Sequence, residues 1–156
     1  LEPVLRSQPN IDYLTADLYA ENVMVKMDIT DIRYPDATFD AIICNHVLEH
    51  IVDDRRAMSE LCRVLKPGGW AILQVPMSQS LDATYEDFTI TSGDAREQAF
   101  GQDDHVRIYA KDYAGRLAGA GFAVEVFEWW SDAGQFGGRR NRFGLNEDEA
   151  MYVVRK

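Results

Sequence analysis

Apolar positions along the chain follow two periodicities, and together they predict an α/β fold. Residues 39–44 form an apolar run typical of a strand buried on both faces of a parallel sheet. Residues 70–75 read as a second such strand, ended by Pro76. Between these strands, apolar residues fall on one helical stripe, at positions 57, 58, 61, 62 and 65. Strand, helix and strand in this order make a βαβ unit with a right-handed crossover.

The boundaries of that helix carry their own signals. Asp53 or Asp54 can cap its amino end. Lys66 suits the negative end of the helix dipole, and residues 67–69, Pro-Gly-Gly, should end the helix before the next strand.

Upstream of the βαβ unit the pattern is weaker. Residues 1–8 read as the tail of a helix, and residues 13–17 and 23–28 as two short strands that each end in an acidic residue. Residues 18–22 are too few for the crossover of about a dozen residues that normally joins parallel neighbours. Either this helix is absent, or the second strand pairs poorly at the sheet edge.

Downstream, residues 77–108 are polar with little periodicity, which predicts a lid or substrate-binding insertion. A short helix is predicted over 111–118, followed by strands over 122–130 and 149–155. Because no helix separates these last strands, they should pair antiparallel. We therefore expect a single domain, residues 1–156, with its insertion at 77–108.

Charge and cysteine content narrow the partners. The net charge of −10 disfavours nucleic acid and anionic membranes as the main partner. The basic cluster at residues 139–142 is more typical of a solvated loop than of a phosphate site. Cys44 and Cys62 lie among apolar neighbours and match no metal or redox spacing, so we expect buried, reduced thiols in a cytoplasmic protein and no metal site.

Four motifs in order carry a family resemblance: residues 28–31 (Asp-Ile-Thr-Asp), 34–40, 45–51 (Asn-His-Val-Leu-Glu-His-Ile) and 63–69 (Arg-Val-Leu-Lys-Pro-Gly-Gly). Together they resemble class I S-adenosylmethionine-dependent methyltransferases of the small-molecule type, methyltransferase type 11. The resemblance implies a Rossmann-like, doubly wound, mostly parallel sheet with a C-terminal antiparallel hairpin. It also implies an enzyme that transfers a methyl group from S-adenosylmethionine to an unidentified small molecule.

The resemblance further implies a set of cofactor-binding residues at the strand ends, where ligands of open α/β sheets bind. In the family pattern Asp17 contacts the ribose, Asp28 the adenine amine, and Ile29 packs on the ring. The full set is Asp17, Leu18, Asp28, Ile29, Asn45 and His46. The last two would lie near the reactive sulfonium. The plainer alternative is that both aspartates only cap turns.

Catalytic and acceptor-binding residues are less determined, because the cofactor brings the electrophile and the protein mainly aligns the reactants. His50 and His105 are candidates for a general base, and His50 is equally a helix-start residue bonded to backbone. Candidate substrate contacts come from the polar insertion: Tyr85, Glu86, His105, Arg107 and Tyr109. His105 and Arg107 would project to one side of an extended segment, or Arg107 would instead pair with a nearby acid.

One element of the family is missing. Its first strand and glycine-rich cofactor turn should precede the first helix, and this central strand cannot be omitted without leaving backbone groups unpaired on both sides. We therefore expect an N-terminally incomplete domain, or a strand swapped in from another chain, which leaves a homodimer open. Two other functions stay open: an inactive methyltransferase-like scaffold, and a nicotinamide-dependent dehydrogenase, which would need G-x-G-x-x-G and does not explain the turn at 65–69.

Overall fold

The computed structural model describes residues 2–136, 141, 143–146 and 149–156. The arginines of the basic cluster, Arg139, Arg140 and Arg142, lie outside the described residues. In chain order the helices are α1 (Glu2–Arg6), α2 (Asp54–Val64), α3 (Gly93–Phe100), α4 (Tyr113–Gly119) and α5 (Ala133–Phe136), with short 3-10 helices at Leu48–His50 and Trp129–Ser131. The strands are β1 (Ala16–Asp17), β2 (Val25–Lys26), β3 (Phe39–Asn45), β4 (Leu65–Gln74), β5 (Tyr85–Glu86), β6 (Arg107–Ile108), β7 (Ala123–Phe127) and β8 (Met151–Arg155).

The main sheet has four strands in the order β3-β4-β8-β7. Strands β3 and β4 are parallel, with Asn45 opposite Gln74, so α2 is the crossover of a βαβ unit as predicted. Strand β8 is antiparallel to both β4 and β7, which confirms the predicted C-terminal hairpin. The sheet is therefore mixed rather than mostly parallel, because two of its three pairings are antiparallel.

The ends of α2 were only partly predicted. Asp53 is the N-cap, and its carboxylate accepts a hydrogen bond from the Arg56 amide. The helix already ends at Val64, and strand β4 begins at Leu65. The interpretation of Lys66 as a helix-dipole partner was therefore wrong, since its ammonium lies in the strand and binds the Asp40 carboxylate at 2.7 Å.

The core lies on one face of the main sheet. There α2 and α4 pack their apolar side chains against the strands, including the buried, unpaired thiols of Cys44 and Cys62. On the opposite face Ile43 is 41% exposed and Trp70 38% exposed. The expected double winding, with helices on both faces, is thus not seen among the described residues.

Strands β1 and β2 form a separate, parallel two-stranded sheet. They are shorter than the predicted segments, and residues 18–24 join them without a helix. Asp17 closes this link by accepting hydrogen bonds from the amides of Tyr19 and Ala20. The Lys26 ammonium, which donates to the Tyr19 and Ala20 carbonyls, holds the link from the other strand. Because both carboxyl ends point the same way, Asp17 and Asp28 lie at one edge of this sheet.

The polar insertion has its own secondary structure. Strands β5 and β6 pair antiparallel within it, and Ser92 caps α3 by accepting from the Ala95 amide. The helix was not predicted, because it lacks an amphipathic stripe and only Phe100 is buried. The backbone of Met77 also bridges to Tyr109, which brings both ends of the insertion together beside β4.

Candidate functional site

The carboxyl end of β3 turns sharply into the site. His46 follows directly and has a left-handed backbone, with φ of 55°, while its amide donates to the Gln74 carbonyl. This conformation is uncommon for a residue with a side chain. It redirects the chain from the strand into the 3-10 helix at Leu48–His50 and then into α2. Asn45 and His46 are both exposed at this edge.

A cavity of about 390 Å³ opens beside Asn45 and His46 on the sheet face away from α2. Ile72, Trp129 and Met151 contribute apolar walls. Polar groups come from Asn45, His46, Gln74, Asn146 and Glu149. Its size and its mixture of apolar walls with a few polar groups are typical of sites for small molecules.

Asp17 and Asp28 have similar surroundings at the edge of the small sheet. Oδ1 of Asp28 accepts hydrogen bonds from the Thr30 amide and hydroxyl, as Oδ1 of Asp17 does from two amides. These bonds lower the pKa of both carboxyl groups, so both are ionised at neutral pH. Both aspartates therefore cap turns, and the capping also orients each exposed carboxylate. That arrangement fits a ligand that donates hydrogen bonds, such as a ribose diol or an adenine amine.

A second group of side chains surrounds Glu49, which is 2% exposed. Its Oε1 atom lies 3.6 Å from Nδ1 of His46 and 3.9 Å from Nε2 of His50. The rings of His50 and His105 meet edge to face, with centroids 4.7 Å apart. The other ring nitrogen of His50, Nδ1, lies 3.2 Å from Oδ2 of Asp104.

Glu49 and His105 also line a smaller cavity of about 160 Å³, with Met77, Phe100 and Arg107 among its other walls. His46 lines the larger cavity and approaches Glu49 in the smaller one. A continuous path of polar side chains thus leads from the larger cavity to the Glu49 group.

Comparison with known proteins agrees with this architecture. Residues 6–73 match the family described as methyltransferase domain. An S-adenosylmethionine-dependent methyltransferase from Mesorhizobium loti is 19% identical with a TM-score of 0.55, covering 92% of this chain and 80% of that one. The chain has the fold of the class I S-adenosylmethionine-dependent methyltransferases, and its residues 6–73 are similar in sequence to the methyltransferase domain family.

Two further proteins that are similar to this chain are named for their substrates. A demethylmenaquinone methyltransferase from Clavibacter sepedonicus is 41% identical over 49 residues, which is 31% of this chain and 20% of that protein. The 1,6-didemethyltoxoflavin-N1-methyltransferase of Burkholderia thailandensis, solved with S-adenosylhomocysteine, is 17% identical with a TM-score of 0.51, covering 84% and 48% of the two chains. The first curated relatives are matched over less than a third of their length. Within the described residues, no helix has the length and apolar character needed to span a bilayer.

Arg107 is the predicted substrate contact that the structure supports least. It is 1% exposed, and its guanidinium donates to the carbonyls of Leu48, Ile51 and Val52 and to the Glu86 carboxylate. The alternative of an ion pair with a nearby acid is therefore what the structure contains. Because each nitrogen of its guanidinium already donates a hydrogen bond, Arg107 positions the insertion against the residues around Glu49.

Of the other predicted substrate contacts, two are buried or paired within the protein and two are accessible to a ligand. Tyr109 is fully buried, and its hydroxyl donates to Asp54, so it belongs to the core. Glu86 accepts from both Arg107 and Arg116. Tyr85 remains partly exposed beside Phe100, and His105 lines the smaller cavity, so these two keep access to a ligand.

The most informative residue that sequence reasoning missed is Glu49. It was read as part of a Leu-Glu-His motif, and only the fold shows that it is buried among histidines from two segments. Trp129 and Gln74 were also missed as cavity walls. Gln74 is held by a hydrogen bond to the Ala150 carbonyl, while the Trp129 indole donates to the carbonyls of Asn146 and Glu149. A polar residue at the end of β4 was the only available signal.

Proposed function

We propose that this domain transfers a methyl group from S-adenosylmethionine to a small-molecule acceptor. The observation that carries the proposal is the row of polar residues at the strand ends, from Asp17 and Asp28 to Asn45 and His46, beside the cavity of about 390 Å³. This is the edge at which open α/β sheets bind their ligands. No observation favours the inactive scaffold.

The cofactor supplies the electrophilic methyl group when it is bound. Asp17 and Asp28 would hold its ribose and adenine, because each presents an ionised carboxylate oriented by its own turn. Leu18 and Ile29 follow these aspartates and would pack against the base. Asn45 and His46 would lie near the methionine part, since both line the larger cavity.

On the acceptor side, the domain would align the attacking atom and exclude water, which supplies much of the acceleration in transfers of this kind. Trp129, Ile72 and Met151 favour an acceptor with an apolar ring, and the quinone named for the Clavibacter relative supports the same class. Tyr85 and His105 would contact it from the insertion. His50 and His105 are the groups that would take a proton from an acceptor that must lose one.

The family's first strand would fit between the two sheets. Among the described residues β3 pairs only with β4, and β1 only with β2, so each has an open edge. A parallel strand placed there would unite the sheets and bring its glycine-rich turn next to Asp17. Either the same polypeptide or a second copy of the chain would supply this strand.

The proposal includes a cytoplasmic location. The observation that supports it is the pair of buried, unbridged cysteines, Cys44 and Cys62, whose thiols suit a reducing compartment.

Calorimetry with S-adenosylmethionine and S-adenosylhomocysteine tests the function. We expect binding of both, at one site per chain, and methylation of an acceptor from a panel of hydroxylated quinones and phenols. Binding without turnover on the panel would leave cofactor binding standing and remove the quinone class. Absence of binding to either compound would overturn the proposal.

A further inference from the structure

Every histidine of this chain lies at one carboxylate. The chain has three histidines, and His46, His50 and His105 all approach Glu49. His46 and His50 come from the turn after β3, while His105 comes from the end of the insertion just before β6. The chain has 26 carboxylate side chains, yet all three imidazoles lie at the same buried one. Neither solubility nor packing explains this grouping, which points to a ligand-binding role.

The Glu49 carboxylate is incompletely satisfied. Its Oε2 atom is buried and has no hydrogen-bond partner among the described residues. Burying a neutral polar group without a hydrogen-bond partner costs about 2–7 kcal/mol. Burying an ionised carboxylate without pairing both of its oxygens costs more. The charge also acts on its surroundings, because burial and then Glu49 raise the pKa of the Cys44 thiol to about 12. A buried orphan oxygen of this kind needs an explanation, and an unfilled ligand position is one.

We propose that Glu49, His50 and His105 bind one divalent transition-metal ion. One ligand atom from each lies within 4.8 Å of the other two. Around a tetrahedral ion with metal–nitrogen distances of about 2.0–2.1 Å, ligand atoms lie roughly 3.3 Å apart. Side-chain movements that shift each ligand atom by about 1 Å would therefore bring the three atoms to coordinating distance. One carboxylate and two neutral imidazoles suit Zn²⁺, Co²⁺, Mn²⁺ or Fe²⁺ far better than Mg²⁺, which prefers oxygen ligands.

The surroundings of His50 support the same assignment. Metal-binding imidazoles usually donate their other ring N–H to a carboxylate, which fixes the tautomer and the ring. Nδ1 of His50 faces Oδ2 of Asp104 at 3.2 Å, and this leaves Nε2 on the side of Glu49. The remaining coordination positions of the ion would face the smaller cavity, which Glu49 and His105 line. An oxygen of a small ligand could bind there, and with the ion in place His50 and His105 would act as ligands rather than as proton acceptors.

Cobalt titration of the metal-free protein, without any cofactor, tests the site. After dialysis against a chelator, we expect Co²⁺ to bind one ion per chain with visible ligand-field absorption, and Zn²⁺ to displace it. Glu49→Gln, His50→Gln and His105→Gln should each lower Co²⁺ affinity at least tenfold. His46→Gln is the matched control, because it removes an imidazole beside Glu49 that lies outside the three-ligand group, and it should keep the affinity.

A second measurement uses the unmodified protein and is independent of how the variants fold. With only three histidines, the ring proton resonances of His50 and His105 should shift on addition of one equivalent of Zn²⁺, while those of His46 move little. Failure of the unmodified protein to bind Co²⁺, or imidazole shifts confined to His46, would overturn the proposal. Because no cofactor is present, either result is separate from the success or failure of the methyl-transfer proposal.

Discussion

The imidazole of His50 bridges two carboxylates of opposite exposure. Its Nε2 atom lies 3.9 Å from buried Glu49, and its Nδ1 atom lies 3.2 Å from Asp104, whose side chain is 64% exposed. The exposed Asp104 carboxylate, which does not pack in the core, therefore orients the imidazole ring of His50 from the solvent side. This separation allows the orientation of His50 to be changed without disturbing the packing around Glu49.

We expect Asp104→Asn to weaken Co²⁺ binding by about tenfold while leaving the free energy of unfolding nearly unchanged. An exposed carboxylate contributes little to stability, but its loss removes the partner that fixes the His50 tautomer. Asp103→Asn changes the neighbouring exposed aspartate in the same way and serves as the control. Equal Co²⁺ affinities for the two variants would contradict the assigned role of Asp104.

Asp17→Ala should lower the affinity for S-adenosylhomocysteine by between about tenfold and a hundredfold, the loss expected when hydrogen bonds to a charged group are removed. The same change should cost about 1 kcal/mol of stability, because Asp17 also caps the turn between β1 and β2. Calorimetry and urea unfolding separate the two effects. Asp12→Ala, at a nearby exposed position, should leave the affinity unchanged, and unaltered binding by the Asp17 variant would remove it from the site.

Glu86 provides a pH-dependent prediction. Burial opposes its ionisation, but hydrogen bonds from Arg116 and Arg107 outweigh this and lower the pKa of its carboxyl group. Since the folded pKa lies below the unfolded value of about 4.3, the stabilisation is present above that pH and is lost as the pH falls through the folded pKa.

We therefore expect Glu86→Gln to cost about 2 kcal/mol at pH 7 and clearly less near pH 3. Urea unfolding of this variant and of the unmodified protein at both pH values measures the difference. Glu97→Gln, on the exposed side of α3, should cost little at either pH. A cost for the Glu86 variant that does not change with pH would show that its charge is not what stabilises the arginines.

Two glycines, Gly69 near the start of β4 and Gly115 in α4, give opposite predictions for stability. A Cβ atom on Gly69 would stand 2.9 Å from the Lys66 carbonyl oxygen and 3.0 Å from that of Asp40, both of them backbone atoms. Gly69→Ala should therefore destabilise the fold by about 2 kcal/mol. Gly115→Ala in α4 meets nothing within 4 Å and should instead stabilise it by about 0.8 kcal/mol. Thermal unfolding of both variants checks the opposite signs.

The parts of the fold that depend on local pattern were predictable. The β3-α2-β4 unit, the Asp53 cap and the final hairpin follow from periodicity and capping signals over short stretches. The end of α2 was misjudged because Pro67 and Gly68 mark a bend inside the assigned strand rather than the helix end. Helix α3 was missed because its stripe is polar, so burial of Phe100 alone determines its packing.

The site residues likewise fall into those that a local sequence pattern predicts and those that depend on how distant segments pack. Asp17, Asp28, Asn45 and His46 lie at strand ends, and strand ends can be located from sequence. The meeting of His105 with Glu49 depends on how the insertion folds back, which no local pattern specifies. The burial of Arg107 is of the same kind, because its partners are backbone carbonyls of a distant turn.

The five hydrogen bonds of the Arg107 guanidinium tie the insertion to the residues around Glu49, to Tyr109 and to Glu86. Lifting the insertion would strand a buried cation away from every carbonyl that now holds it. The insertion would therefore act as a fixed wall, and under the proposed function acceptor and product would pass on the opposite side, past Trp129 and residues 144–146. Variation in that second segment, rather than in the insertion, would then set the rate at which molecules enter and leave.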